Sequence, residues 1–266
     1  MTAEIVERVL RSSRYRDVDR SLLSRLAEEE LPRARNADDA VKRVKRRLHQ
    51  AVGAFRGAAR RPDAIAAAWS GDLAGRVFRQ ACADALRAHA STRERVAHLD
   101  EFYAPIWSIT GSPRSVMDLG CGLHPLGLPW MGLAPDATYL ASDVDRRPLA
   151  IVTSFLDLVG QPHRVEVHDV VEAAPSAAAD VALLLKLVAT LDRQDPDAAT
   201  RLLGTVRARH AVISFPTRSL AGRGKGMERT YRERLERLVA ETGRRVSAVA
   251  EASVSNELVF VLTLDG

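Results

Sequence analysis

The 266-residue chain has only two cysteines, Cys82 and Cys121, too few for a disulfide framework, and neither stands among histidines at metal-ligand spacing. This points to a reduced, cytoplasmic protein without a metal centre. Long hydrophobic runs are also missing. Val181–Leu185 stops at Lys186, and nothing reaches the roughly 20 apolar residues that a membrane span needs. The first thirty residues, broken by Arg8, Arg11, Arg14 and Arg16, hold no apolar core of signal-peptide length. A third glycine is missing from the turn Gly120-Cys121-Gly122, which runs on into Leu123-His124-Pro125. That excludes the G-x-G-x-x-G seat for a pyrophosphate and favours a smaller, cationic ligand.

What is present supports a folded protein. Hydrophobic residues make up 46% and charged residues 27%, enough apolar surface for a real core. The net charge of +5 conceals a sharper division: residues 1–61 carry +7, residues 62–206 carry −6, and residues 207–245 carry +7. Two basic blocks flanking an acidic middle suggest a polyanionic partner.

Residues 1–90 read as an all-helical, basic module, and residues 91–266 as a second domain. Val41, Val44, Leu48, Val52 and Phe55 recur at three- and four-residue steps, one apolar stripe on a helix. Lys42, Arg43, Arg46 and Arg47 occupy other faces of it, a surface able to follow a phosphate backbone. Pro62 breaks that helix, and alanine-rich helices follow at 64–68 and 73–90. Ser91 or Thr92 is expected to cap a helix running through Arg95 toward Tyr103, closed by Pro105 and Gly111-Ser112-Pro113. Beyond it, short apolar runs alternate with helical patterns, which is the signature of parallel βαβ units. Strands are expected at 115–119, 138–143, 164–169, 181–187, 211–215, 245–254 and 257–264, with helices at 147–159, 197–209 and 225–241. The last two strands, joined at Ser255-Asn256, form an antiparallel pair.

The strand Ser115–Leu119 ends in the glycine turn, so a ligand is expected at the carboxyl ends of the strands. Asp143 ends the second strand, where a carboxylate can accept two ribose hydroxyls. Asp169 ends the third, with Val170 after it. Lys186 interrupts the fourth, where a charge is expensive unless it is paired or reaches the mouth of the sheet. The turn pattern resembles the nucleoside-binding loop of class I S-adenosyl-L-methionine methyltransferases, an α/β fold with a seven-stranded Rossmann-like sheet. That likeness implies that Asp169 receives an adenine amino group and a following backbone N–H meets the ring. Between Ser214 and Met227, Gly222, Gly224 and Gly226 alternate with Arg223 and Lys225, a loop able to order around phosphates.

Ser91–Arg95, Asp118–Leu126 and Ser214–Met227 together resemble the aminoglycoside-resistance 16S ribosomal RNA methyltransferases of antibiotic-producing actinomycetes. The likeness covers most of the chain. It implies S-adenosyl-L-methionine as cofactor, the 30S subunit and its 16S rRNA as partner, and N7 of a decoding-site guanine as the methyl acceptor. It implies that Arg95 reaches the cofactor carboxylate and that Gly120, Asp143 and Asp169 hold the nucleoside; Cys121, Gly122, Val144, Val170 and Lys186 are expected around them. It assigns Arg223, Lys225 and Met227 to the RNA and target base, and Arg218 is expected to bind RNA beside them. His124 stands where that family usually carries asparagine, and Leu187–Leu191 departs from its usual wording. No general base is implied: guanine N7 has a lone pair and no proton. The sequence agrees, with no Asn/Asp-Pro-Pro-Tyr motif and no cysteine after the fourth strand. A methyltransferase acting on another rRNA position or on a small molecule stays open, as does a noncatalytic RNA-binding module.

Overall fold

Along β1 (Ser115–Leu119), Val116 joins the core on one side of the sheet while Met117 and Leu119 join that on the other. The same alternation recurs in the strands that follow, as successive side chains of a strand must point to opposite faces. The computed structural model describes residues 1–53, 62–216, 227–252, 254 and 257–265. Its sheet continues with β2 (Thr138–Asp143), β3 (His163–Val167), β4 (Ala178–Leu185), β5 (Arg207–Pro216), β6 (Val246–Ala252) and β7 (Glu257–Leu264). The spatial order is β3-β2-β1-β4-β5-β7-β6. The first five strands are parallel, and β7 runs antiparallel to both β5 and β6. The expected seven-stranded arrangement is therefore present. The expected Ser255-Asn256 connection lies outside the described residues.

The helices are α1 (Thr2–Leu10), α2 (Arg20–Glu30), α3 (Ala37–Leu48), α4 (Pro62–Ala68), α5 (Arg76–Ala88), α6 (Ala90–Arg93), α7 (Leu99–Thr110), α8 (Leu128–Met131), α9 (Arg146–Val159), α10 (Val188–Leu191), α11 (Ala198–Thr205) and α12 (Met227–Glu241). Phe78 and Leu86 of α5, Phe102 of α7 and Phe155 of α9 cover one face of the sheet. Leu202 and Leu203 of α11 and Leu238 of α12 cover the other. A third core, built from Ile5, Val9, Leu22, Leu26, Val44 and Leu48, lies between α1, α2 and α3, with Tyr15, Val18 and Ala51 joining it and Val144 packed against it. Fully burying each such side chain contributes about 1.5–3 kcal/mol. Helices α4 and α5, although part of the all-helical sequence segment, bury Ile65, Phe78 and Cys82 in the core of the sheet.

Local chemistry explains the helix ends. The Asn36 side chain accepts from the Asp39 N–H at 2.9 Å, and α3 carries Asp38 and Asp39 in its first turn and Lys45, Arg46 and Arg47 in its last. Asp145 caps α9 by accepting from the Arg147 N–H, and Gly160 at φ 70° ends it.

Three local expectations are corrected. Ser91 and Thr92 lie inside α6 and do not cap a long helix: the Thr92 hydroxyl donates back to Leu86 O at 2.6 Å, and Ser91 Oγ lies 2.7 Å from His89 Nδ1. The segment from 90 to 110 is correspondingly split into α6, a tight turn at Val96–His98, and α7. Pro105 stands within α7 without ending it, because Phe102, Tyr103 and Ile106 anchor both sides in the core and the carbonyl it leaves unpaired belongs to exposed Glu101. Strand β3 stops at Val167, so Asp169 sits two residues past its end.

Module α1–α3 docks against the β2–α9 junction. The Asp19 N–H donates to Val144 O and the Arg146 N–H to Asp17 O, each at 2.9 Å. Ion pairs Arg146–Asp19 and Arg147–Asp17 flank that contact. The first helices thus meet the sheet beside Asp143.

Candidate active site at the strand ends

A cavity of about 840 Å³, including the solvent at its mouth, opens at the carboxyl ends of β1, β2 and β4. Gly120 (φ 61°) and Gly122 (φ 53°) form its floor. A Cβ on Gly120 would stand 2.9 Å from Leu187 Cδ1, and one on Gly122 would stand 3.1 Å from the His89 ring. Both the positive φ and the crowding call for glycine. Of the residues expected to hold a cofactor, Gly120, Gly122, Asp143, Val144, Asp169, Val170 and Lys186 line this cavity.

Asp143 accepts from the Gly122 N–H and the Asp145 N–H, both at 2.9 Å. Burial nevertheless pushes its carboxyl up to about 6, assisted by the charge of Asp145 and opposed by those backbone N–H groups. Its charge is under-compensated, and a pair of hydroxyl donors in the cavity would relieve it. Asp169 is bound differently. Its Oδ2 accepts from Arg25 Nε at 3.0 Å and Nη2 at 2.8 Å, while Oδ1 accepts from the Val171 N–H at 3.0 Å.

Lys186 has a φ of 57°, the one non-glycine residue in the left-handed region among the described residues. Its N–H is held by Ser214 O and Oγ, each at 3.1 Å, and its Nζ reaches Glu94 at 2.8 Å and Glu257 at 3.4 Å. The charge expected within the fourth strand lies instead just past the end of β4, which stops at Leu185, and it is paired at the mouth of the sheet.

Two expected residues do not reach the cavity wall. Arg95 is spent on Glu257, donating from Nε at 2.9 Å and Nη2 at 2.7 Å, with its guanidinium 4.3 Å from the Phe102 ring centre. Burial works against both charges, yet the Arg95 and Lys186 charges and the hydrogen bonds from Arg95 and Ser214 hold Glu257 below the usual carboxylate range. Cys121 turns its side chain into the core, and burial raises its thiol well above the ordinary value. The Cys82 thiol, likewise buried, is pushed up to about 12. Neither is poised as a nucleophile.

His124 is explained by a buried chain beneath the turn. Its Nδ1 donates to Asp118 Oδ2 at 2.7 Å, the Tyr139 hydroxyl donates to the same oxygen at 2.8 Å, and His124 Nε2 lies 2.9 Å from the Tyr103 hydroxyl. The Asp118 carboxylate thereby ties the end of β1 to the turn and to α7.

Of the residues expected at RNA, Lys42 and Arg46 are exposed on α3. Arg43 and Arg47 are instead drawn inward: Arg43 pairs with Asp39 and Glu30, and Arg47 pairs with Glu29 and Glu30. Those acids sit on α2 and on the first turn of α3, a proximity invisible in the charge count. Met227 opens α12 half-buried, while Arg218, Arg223 and Lys225 lie outside the described residues.

The cavity also has walls the sequence did not announce. Leu22 of α2 and Ala51 come from the N-terminal module, and His89 and Gln194 come from segments without a motif. Burial lowers the His89 ring to about 4, so it is neutral near pH 7. Leu22 reads as an ordinary apolar helix position, and nothing in its neighbourhood distinguishes a cavity wall from a core contact. Among the described residues no helix is long and apolar enough to cross a membrane, and no group of acidic, histidine and cysteine side chains could hold a metal.

Residues 11–261 match the profile of the family described as "Ribosomal RNA methyltransferase (FmrO)". A 16S rRNA (guanine(1405)-N(7))-methyltransferase of Frankia casuarinae is 42% identical over 96% of this chain and 91% of its own length. One of the same description from Micromonospora rosea is 36% identical over 97% of this chain and 95% of its own. Among solved structures, the 16S rRNA methyltransferase RmtF in complex with S-adenosyl-L-homocysteine superposes with a TM-score of 0.84 at 34% identity, covering 99% of this chain and 98% of that one. The 16S rRNA methylase RmtB gives 0.78 at 27% identity, covering 100% and 99%.

Proposed function

The chain belongs to the FmrO family of ribosomal RNA methyltransferases and has their class I fold, and from that premise we propose that it methylates N7 of guanine 1405 in 16S rRNA, using S-adenosyl-L-methionine. The observation that carries the reading is the agreement between near-full-length relatives of that activity and a cavity whose floor is the Gly120–Gly122 turn. The substrate is the small ribosomal subunit, and the outcome is resistance to aminoglycosides that bind its decoding site.

The cofactor supplies an electrophilic methyl group on a sulfonium. Asp143 accepts the two ribose hydroxyls, which offset its unfavourable burial. Asp169 accepts the adenine amino group, with Val144 and Val170 beside the ring. Lys186 offers its ammonium to the amino-acid end, and Arg95 acts one layer behind it by holding Glu257. Lys42 and Arg46 of α3 follow RNA phosphates, Arg218, Arg223 and Lys225 order the backbone near the target, and Met227 packs on the base. Residues 1–90 dock the subunit and residues 91–266 hold the chemistry.

The N7 lone pair attacks without losing a proton, so no side chain of the chain has to take one. The protein's contribution is to bring acceptor and methyl into line, an advantage of about 7–11 kcal/mol at its upper limit. Flipping the base out of its stack costs a few kcal/mol, which contacts from Met227 and the basic residues before it offset.

The test is transfer of labelled methyl to 30S subunits, naked 16S rRNA and an aminoglycoside in parallel, followed by mapping of 7-methylguanosine. Label in the drug alone would refute the reading, as would label at another nucleotide. Single-turnover rates at saturation should be flat from about pH 7 to about pH 9. A tenfold rise per pH unit would indicate a proton-bearing acceptor and exclude N7.

A further inference from the structure

Arg25 is not part of the cavity wall, yet it grips two residues that are. Its Nε and Nη2 both donate to Asp169 Oδ2, and Nη2 also lies 3.2 Å from Gln194 Oε1. The guanidinium is itself held from behind. Glu29 accepts from Arg25 Nη1 at 3.1 Å with one oxygen and from Arg47 at 2.9 Å with the other, and Arg47 donates to Gln194 O at 2.9 Å. The pair is largely removed from water, with the Arg25 side chain 13% and the Asp169 side chain 3% exposed. Leu22, three residues earlier on the same face of α2, lines the cavity directly.

A carboxylate offers about four acceptor positions. Arg25 takes both on Oδ2 and the Val171 N–H takes one on Oδ1, which leaves a single acceptor position on Oδ1. A carboxylate fixed in this way accepts an exocyclic amine and repels a carbonyl oxygen in the same place. A carboxylate released from Arg25 can rotate and loses that selectivity.

We propose that Arg25 is a positioning residue of the nucleoside site, one that fixes Asp169 so that the pocket distinguishes a 6-aminopurine from a 6-oxopurine. The N-terminal module is then a structural part of the cofactor pocket as well as a docking surface. The inference rests on the reading of the cavity as the cofactor site.

The experiment compares S-adenosylhomocysteine with S-inosylhomocysteine, which carries oxygen in place of the 6-amino group, by calorimetry on the full chain. The wild type should prefer the adenosyl compound by about a hundredfold, the scale of one lost hydrogen bond that leaves a buried acceptor unsatisfied. Arg25→Ala should weaken the adenosyl compound about tenfold or more while leaving the inosyl compound within about threefold, so the preference collapses. A merely structural role predicts that both ligands weaken by one factor, and a preserved ratio overturns the proposal. Arg25→Lys carries the test if the alanine variant does not fold. A lysine cannot present the two-pronged guanidinium, so its ratio should still fall about threefold or more. A wild-type chain that binds neither compound overturns the cofactor reading itself, whereas wild-type binding with an unchanged ratio in the variants overturns only the role of Arg25.

Discussion

Lowering the pH should weaken S-adenosylhomocysteine binding through Asp143. In the free protein its carboxyl sits at about 6, raised from 3.8 chiefly by burial. Ribose hydroxyls donating to the carboxylate favour its ionised form and draw that value down. Binding then releases a proton in the window between the bound value and about 6. Affinity should be level above about pH 7 and fall as pH drops through 6. By about pH 5 the loss is roughly tenfold, or about 1.4 kcal/mol. Asp145, Asp169, Lys186, His89 and His168 also face the cavity. His89, at about 4, stays neutral across the window. The control is Asp143→Asn, whose weaker binding should not change between about pH 8 and about pH 5. Stability runs the other way. The raised value means that the folded chain holds this proton more tightly than the unfolded one. Asp143 therefore adds stability as pH falls through about 6, in full below 3.8, and at neutral pH it costs on the order of 3 kcal/mol. Asp143→Asn should accordingly lack this gain in stability as pH falls through about 6, and it should bind ligand less well because its amide NH2 faces one of the two backbone N–H groups that the carboxylate accepts from. Calorimetric titration with a thermal scan measures both. A wild-type affinity that does not move with pH, or an asparagine variant with the same slope, would refute the reasoning.

Glu257→Ala leaves Arg95 buried without its partner and should cost about 3–5 kcal/mol of stability in urea denaturation; a wild-type midpoint would mean that the pair holds nothing together. Replacing Lys42 and Arg46 together should lower the salt slope of subunit binding by about one per lost phosphate contact, with stability within about 0.5 kcal/mol of wild type. Arg47→Ala should instead reduce stability, because its side chain bridges Glu29, Glu30 and Gln194.

Much of the sheet was legible because its signals are local. β1, β2 and β7 begin and end where their apolar runs do, and Asp145 and Gly160 bracket α9 with ordinary capping chemistry. Errors arose where tertiary packing outweighs a local rule, as at Pro105, or where a capping side chain has another partner, as at Thr92. In the site, the glycine turn, Asp143 and Asp169 stand out because they follow strands. The commitment of Arg95 to Glu257 joins residues 162 apart in sequence and leaves no local trace. The same holds for Leu22 and Arg25, whose roles appear only when α2 folds back over the sheet. Charge counting overstated the free basic surface of α3, since Arg43 and Arg47 face acids from a neighbouring helix.

The clamp between Arg25 and Asp169 also fixes a sequence of events in synthesis. The two residues are separated by 144 positions. At roughly 5–20 residues per second, Arg25 is made on the order of ten seconds before its partner. During that interval α1–α3 can assemble their own small core, but the face that will wall the pocket has nothing to close upon. The first helices to emerge are thus among the last to find their final neighbours, and the nascent chain acquires its ligand site only after β4 and the chain through Gln194 have been translated.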